Sequence, residues 1–318
     1  MRILFTADWH IKLGQKNVPL TWAINRYLEF FKQVHEYEKE VNLHIIGGDI
    51  FDRMPTLEEL NLYFRFVKGI SVPTLIYDGN HEATKKGKTF FTSLATITKD
   101  LNPLVTIIDE IWVEHNKFQI LPYCELHKTG RIESLDPSLP LFTHVRGEIP
   151  PHVKPEVELE RFSKFPVVFA GDLHSHSNCQ RNIVYPGSPM TTTFHRSIVE
   201  TGGIIIEDNW EWSYVPFKLP QLIRETITSA KQMKATSYHH TIYELEGNLA
   251  DLSVIKATEL LDKKVVKRKT EAALLLDKDM SIEDELIEYL TYILELPEPR
   301  IRSIVGVFSD NAQKIKLG

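Results

Sequence analysis

Three short stretches carry residues able to hold metal ions, and each follows an apolar run. Ile3-Leu4-Phe5-Thr6-Ala7 leads into Asp8-Trp9-His10. Leu43 to Ile46 leads through Gly47-Gly48 into Asp49-Ile50-Phe51-Asp52. Thr74-Leu75-Ile76-Tyr77 leads into Asp78-Gly79-Asn80-His81-Glu82. Two further points of the same kind are Phe142-Thr143-His144 and the run from Val167 to Gly171-Asp172-Leu173-His174-Ser175-His176. Aspartate, histidine and asparagine donors without cysteine suit cations such as Mn²⁺, Fe²⁺ or Zn²⁺. Two such ions about 3.5–4 Å apart can clamp a phosphate and activate a water. Asp49, beside a glycine pair that lets backbone approach closely, is the natural bridge between them. Asn80 offers a neutral oxygen. His81, beside a ligand rather than on the metal, suits a general acid for the leaving oxygen. A lone Asp-x-His is usually an ordinary solvated pair. Three such motifs in order, each at the end of an apolar run, point instead to a dinuclear centre.

The elements that must position these residues are legible around them. Short apolar runs read as buried parallel strands, and open α/β sheets gather ligands at the carboxyl ends of their strands. Between the first two motifs, Leu20, Ala23, Ile24, Tyr27, Leu28, Phe31 and Val34 are spaced as one face of a helix, with Pro19 at its start. Thr56 with Glu59 three residues later announces a capping box for a second helix ending near Gly69. The first hundred residues thus read as repeated βα units. Shorter strands follow at Val105–Ile108, Phe118–Leu121, Leu139–Thr143 and Gly203–Glu207, with a turn at Tyr185–Pro189. The expected class is α/β, two facing sheets with ligands collected along one edge.

A composition change near Pro216–Pro220 suggests a boundary. The expected organisation is a catalytic domain over 1–218, a small αβ domain over 219–278, and a C-terminal helical segment over 279–318. In the second, Thr241–Leu245 and Ala272–Leu276 read as strands and Leu252–Leu261 as a helix. In the third, Ser281 opens an amphipathic helix with Leu286, Leu290, Ile293 and Leu294 on one face, closed by Pro297-Glu298-Pro299.

With 318 residues, 42% hydrophobic and 25% charged, the chain has the composition of an ordinary globular protein. No apolar stretch approaches the ~18 residues of a membrane span. Met1-Arg2-Ile3 runs directly into a strand, which argues against a cleaved leader. Two cysteines, Cys124 and Cys179, cannot form a disulfide framework, and a cytoplasmic location is expected. A net charge of −6 argues against a protein that coats nucleic acid, but not against a nuclease whose ligand carboxylates are offset by cations. The clusters Lys85-Lys86-Gly87-Lys88 and Lys263-Lys264 with Lys267-Arg268-Lys269 read as solvated faces. Trp9 reads as packing, Cys179 as incidental, Asp52-Arg53 as a surface ion pair and His239-His240 as structural.

These motifs, with His144 and the Gly171–His176 stretch, resemble the calcineurin-like metallophosphoesterase superfamily. Within it the chain looks most like the SbcD-type nuclease subunits of double-strand-break processing complexes, in the form found in tailed bacteriophages. The similarity spans roughly residues 1–215, and the turn Tyr185-Pro186-Gly187-Ser188-Pro189 favours this branch. The resemblance implies that one ion is held by Asp8, His10, Asp49 and the second ligand of the last motif. The other is held by Asp49, Asn80, His144 and that motif's first ligand, with His81 catalytic. The family pattern Gly-His-x-His is broken here: Asp172 and His174 serve in one register, His174 and His176 in a register slipped by two. The first keeps the ligands next to Gly171 and adds a negative charge that should tighten cation binding.

By resemblance the activity is that of a Mn²⁺-dependent DNA nuclease, a 3′-to-5′ exonuclease and single-strand endonuclease. It implies a homodimer, an SbcC-like ATPase partner, a DNA-capping role for the small αβ domain, and work in recombination, repair or replication. The amphipathic helix Ser281–Leu296 and the tail suit either docking of that partner or capping of their own domain. A phosphoprotein phosphatase is the alternative, since Gly48–Arg53 and Gly79–Glu82 would pass for its motifs. Against it, that family places arginine before Gly-Asn-His-Glu, where Asp78 stands, and glycine after Asp-x-His, where Ile11 stands. A non-catalytic subunit is disfavoured because every ligand position is filled.

Overall fold

Parallel strands flanked by helices fill the first hundred residues of the computed structural model, which describes residues 1–84, 88–248, 252–266 and 280–316. In order these are β1 (Ile3–Thr6), α1 (Leu20–Glu38), β2 (Leu43–Gly47), α2 (Leu57–Gly69), β3 (Thr74–Tyr77), α3 (Phe91–Leu101) and β4 (Val105–Ile108). There follow β5 (Trp112–Glu114), β6 (Phe118–Leu121), β7 (Leu141–His144), β8 (Val168–Gly171), β9 (Ile183–Val184), β10 (Gly202–Ile206) and β11 (Trp212–Pro216). One sheet has the order β11-β10-β1-β2-β3-β4, the other β5-β6-β7-β8-β9. β1 to β4 run parallel, as do β6 to β9. The motif-bearing strands therefore end on common edges.

The apolar runs are continuous because both faces of each sheet are covered. Ile3, Phe5, Ile45, Leu75 and Tyr77 meet Phe118, Ile120, Phe142 and Phe169 between the sheets. Phe5 packs edge-on against Phe142, with centroids 5.3 Å apart. On the outer face of the first sheet, Leu4 and Ile46 join Phe30, Phe31, Val34, Phe66 and Val67 of α1 and α2. Leu121, Leu141, Val168 and Ala170 face a third cluster with Phe162 and Phe165. This is the expected α/β architecture of two facing sheets.

α2 begins as its sequence predicts. Thr56 accepts from the Glu59 backbone, and Glu59 Oε2 accepts from Thr56 N at 2.8 Å. Glu59, fully buried, also accepts from Leu13 N at 2.6 Å and from Arg53 at 3.1 Å. The cap thus ties the helix to the loop leaving Asp8-Trp9-His10. Arg53 pairs with Glu59 and Asp52 with Lys12 at 2.7 Å, so the expected Asp52–Arg53 pair is replaced by two pairs to other loops. Trp9 is fully buried, edge-on to Phe30 and Phe66 at 4.9 and 4.7 Å.

The contacts define two compact units. One comprises Met1–Thr226, Gln232–Glu244 and Thr258–Asp262; the other comprises Ile227–Lys231, Leu245–Ala257 and Lys263–Gly318. β12 (Leu222–Ile227), β13 (His240–Gly247) and β14 (Leu261–Val266) form a sheet in the order β12-β13-β14. The expected helix over 252–261 is corrected here: the helical turn is confined to the start of that window, and Leu261 opens β14. Val254 and Ile255 are weak helix formers, and the Leu260 carbonyl accepts from Tyr243 N at 2.8 Å on β13. The expected strand 272–276 and Lys85–Gly87 and Lys267–Lys269 of the basic clusters lie outside the described residues. In the second unit the helix capped by Ser281 spans Ile282–Glu288, and Tyr289–Ile293 is a wide helical turn. Pro297-Glu298-Pro299 does not only end that element: it opens a second helix, Glu298–Lys316, because proline is tolerated in a first turn. No helix among the described residues is long and apolar enough to cross a membrane.

Thr56→Ala should lower stability by ~1 kcal/mol, the usual worth of an N-cap. Glu59→Ala should cost more, because Leu13 N loses its partner in a buried setting, at about 1–3 kcal/mol per orphaned donor. Urea unfolding of both variants checks this; equal losses would confine Glu59 to the cap.

Candidate metal centre

Four residues around the strand ends adopt left-handed backbone: Asp8 (φ 57°), His10 (44°), Asp49 (53°) and Asp172 (103°). Such conformations cost about 1–3 kcal/mol each and persist only where surrounding structure enforces them. Here the first two motif loops are laced together. Asp8 N donates to the Gly48 carbonyl at 3.1 Å, His10 N to that of Asp49 at 2.9 Å, and Ile11 N to that of Ile50 at 2.6 Å. Asp172 N donates to Asp8 Oδ1 at 3.0 Å, and Ser188 Oγ to the Asp8 carbonyl at 2.7 Å. Gly48 and Gly79 stand back to back. A Cβ on Gly48 (φ 85°) would lie 2.6 Å from Gly79 N, and one on Gly79 would lie 2.2 Å from Asp49 Oδ1. Only glycines let these loops close on the ligand pocket.

The side chains converge. His10 Nε2 lies 2.9 Å from His174 Nε2 and 3.7 Å from Asp49 Oδ2. His144 Nε2 lies 3.0 Å from Asn80 Oδ1, 3.6 Å from Asp49 Oδ2 and 3.9 Å from Asp172 Oδ1. Donors sharing one ion at about 2.0–2.2 Å are separated by roughly 2.8–4.4 Å, so both sets fit one cation each. Three groups have ligand atoms within 4.8 Å of one another: Asp8, His10 and His174; His10, Asp49 and His81; and Asp8, Asp49 and His144. Asp8, His10 and Asp49 each belong to two of them.

Two observations fit a cation. Asp8 Oδ2 is buried with no hydrogen-bond partner among the described residues. Asn80 Oδ1 faces His144 Nε2 and both Asp49 oxygens, acceptor against acceptor; rotated, its amide nitrogen would donate to all three. The amide can therefore close an ion-free pocket in one orientation and present oxygen to an ion in the other. His144 Nδ1 is held by the Gly47 carbonyl at 2.8 Å, which frees Nε2 as a ligand.

Asp172 and His174 face the cluster, whereas His176 turns away, with Nδ1 2.6 Å from the Tyr185 carbonyl and its ring stacked on Tyr214. His81 Nδ1 is 2.5 Å from the Asp52 carbonyl, and its Nε2 is left facing Asp49 Oδ2 at 3.8 Å. Cys179, half-buried, accepts from Tyr185 N through its sulfur at 3.2 Å.

Two charged residues escaped the sequence reading. Glu82, fully buried, accepts from Asp49 N and Gly79 N through Oε2 and from Phe51 N through Oε1, at 2.8–2.9 Å, bolting two motif loops together. Its place in Gly-Asn-His-Glu was the available signal. Arg146 grips Asp172 with Nε and Nη2, both at 3.3 Å. Its signal was a spacing of two from His144, which in extended chain returns to the same face.

Burial dominates the titration of this cluster. It pushes the Asp8 carboxyl well above its ordinary value, His144 opposing and Asp49 and Asp172 reinforcing. Burial and Asp49 raise Glu82 to about 8 against the pull of the Phe51 and Gly79 amides. Burial alone would lower His144, but Asp49, Asp8 and Asp172 raise it to about 9. Burial, then His174, His81 and His144, hold His10 well below its usual value. Burial likewise lowers His174. The neutral imidazoles of His10 and His174 beside crowded carboxylates are a donor set for cations.

This arrangement defines a metal-dependent hydrolase of phosphoester bonds. The chain belongs to the calcineurin-like phosphoesterase family, whose model matches residues 1–176. It is 39% identical over 319 residues to "Probable exonuclease subunit 1" of Escherichia phage T5, covering 96% of this chain and 97% of that protein. It is 27% identical over 252 residues to "Putative phosphoesterase 078R" of Invertebrate iridescent virus 3, covering 69% and 67%. Among solved structures it is similar to TT1561 of Thermus thermophilus, with a TM-score of 0.44 and 12% identity over 67% of this chain and 96% of that one.

Without cations, stability should fall as pH rises. Glu82 goes from 4.5 unfolded to about 8 folded and His144 from 6.5 to about 9, so over this range the folded state binds more protons. His10 and His174 act oppositely, costing stability as pH falls below 6.5. Chelated protein should therefore lose melting temperature between about pH 6.5 and 9, and added Mn²⁺ should restore more at the alkaline end. Scanning fluorimetry with and without chelator checks this; a rise in melting temperature of the chelated protein across that window would contradict it.

Proposed function

We propose that this protein is a Mn²⁺-dependent DNA nuclease that removes nucleotides 3′ to 5′ and also cuts single strands. The observation that carries this reading is the convergence of His10, Asn80, His144, Asp172 and His174 around Asp8 and Asp49. It is joined by near end-to-end similarity to a protein named as an exonuclease subunit. When bound, a cation pair polarises a phosphodiester and activates a water. The chain's own residues do the rest. Asp49, between the two donor sets, offers oxygens to both. The Asp52 carbonyl fixes the His81 ring so that Nε2 can give a proton to the leaving oxygen, and the side chain is 35% exposed. The phosphatase alternative loses support at Asp78. It is fully buried, with Oδ2 accepting from Cys124 N at 3.3 Å, so no phosphate-gripping side chain stands there.

The wider assembly follows from the same reading. The relative's name describes a subunit, which supports a partner chain; the family resemblance makes that partner an ATPase of the SbcC type and the role one in recombination, repair or replication. Residues 219–278 serve to cap DNA, and 279–318 to dock the partner. In the C-terminal segment Leu290, Ile301 and Val305 are buried together, while Ile282, Tyr292, Leu294 and Val307 remain exposed, as a docking surface requires. The active form is a homodimer in the host cytoplasm.

End-labelled duplex with Mn²⁺, run beside a phosphopeptide, separates the two activities: shortening of the labelled strand is expected and phosphate release from the peptide is not. His81→Ala should slow cleavage by roughly 10²–10⁴ while Mn²⁺ binding, followed by titration calorimetry, stays near wild type. Cleavage at undiminished speed would remove His81 from the mechanism.

A further inference from the structure

Asp172 stands where the family resemblance places a neutral histidine, and the geometry gives that carboxylate a second partner. Arg146 embraces it side-on, Nε on Oδ2 and Nη2 on Oδ1, both at 3.3 Å. The carboxylate is nearly buried, at 6% exposure, while the guanidinium is 41% exposed. Asp172 Oδ1 also lies 3.9 Å from His144 Nε2, so the oxygen nearest the second cation position is one that Arg146 holds. Arg146 is itself fixed at the backbone: its N–H donates to Glu156 Oε1 at 2.9 Å, and Glu156 Oε2 accepts from Tyr123 Oη at 2.9 Å. The pair is therefore built in, with one member from the end of β7 and the other from the end of β8.

We propose that Asp172 and Arg146 act as one unit in place of a neutral imidazole ligand, the arginine cancelling the charge that the aspartate adds. This rests on the dinuclear reading of the site. A carboxylate and a guanidinium sum to zero, as does a neutral histidine, so the pocket keeps the charge of Asp8 and Asp49 alone. Arg146 is a positioning residue: it orients Asp172 and limits how strongly that carboxylate attracts the cation, so the ion is held without being over-bound. A purely orienting partner would differ, because removing it would weaken binding by about 10–100-fold.

The test is a substitution cycle read by Mn²⁺ titration of the full chain, using calorimetry and the electron paramagnetic resonance of free Mn²⁺. Arg146→Gln should tighten the weaker Mn²⁺ site several-fold. Arg146→Lys, which keeps the charge, should leave it near wild type. Asp172→His alone places a neutral ring beside an unpaired guanidinium, and should weaken that site by at least tenfold. Adding Arg146→Gln to Asp172→His should recover most of the loss. If Arg146→Gln weakens binding, or the double variant binds no better than Asp172→His, charge compensation is wrong. The comparison of glutamine with lysine at 146 keeps the test decisive should the histidine variants fail to fold. Wild-type protein that takes up fewer than two Mn²⁺ would overturn the dinuclear reading along with this proposal. Two ions with the wrong order of variants would overturn this proposal alone.

Discussion

The structure turns on the crowding of acceptors around Asp49 in a hollow whose floor, Asp8, Asp49 and His144, is buried. Asp8, Asp49 and Asp172 bring three carboxylates into contact with the same few imidazoles, and Asp8 and Asp49 are at most 2% exposed. Buried carboxylates at such distances repel, and several kcal/mol per group would be lost without compensation. The protein offers partial relief of three kinds. Backbone amides donate to Asp8 and Asp49, Arg146 neutralises Asp172, and protons are retained on Asp8 and His144 beyond their usual range. What is left over is an acceptor surface with too few donors, and divalent cations supply what it lacks.

Such a pocket would relax if its walls could move, so the scaffold is arranged to prevent that. Each motif lies just beyond a strand packed on both faces, where the strand end is fixed by the core. The turns beyond are strained, and hydrogen bonds between loops replace the relaxation they would otherwise undergo. Glu82 illustrates the economy of this. One side chain satisfies three backbone donors on two loops, and those amide dipoles oppose the burial and the Asp49 repulsion that raise its carboxyl. Glu59 does the same at the next layer, joining a helix start to the loop that carries His10.

The sequence carried the strands and ligands openly because the governing forces are local. A buried parallel strand needs an unbroken apolar run, and a tight loop beside a ligand needs glycine. It was less informative where tertiary contacts overrule propensity. α3, Phe-Thr-Ser-Leu-Ala-Thr-Ile-Thr-Lys-Asp-Leu, is rich in β-branched residues and has no side-chain cap. It is held instead by buried Phe91 and by Thr98 bonding Tyr63 Oη at 3.1 Å. The stretch after Leu252 has helical spacing, yet its end is drawn into a sheet by β13. The partner of Asp172 could not be read from charge pattern, because Arg146 lies 26 residues away and meets it only where β7 and β8 lie side by side.

One regularity links these sites. Asp8-Trp9-His10, His144-Val145-Arg146 and Asp172-Leu173-His174 each place two polar side chains around one apolar residue, and Trp9, Val145 and Leu173 are all buried. In each, the buried middle residue anchors the loop from which its polar neighbours project. Trp9 shows how firm the anchor is. Its indole N–H donates to Thr6 Oγ1 at 3.1 Å, Thr6 meets His44 Nε2 at 3.0 Å, and His44 Nδ1 meets Glu38 Oε1 at 3.0 Å, all of it buried. The polar atom of the anchor is thereby satisfied inside the core, and the ring cannot turn without breaking that chain. Each ligand is thus held from behind by a hydrophobic side chain as much as from the front by an ion, which is how a pocket of mutually repelling groups keeps its shape before any cation arrives.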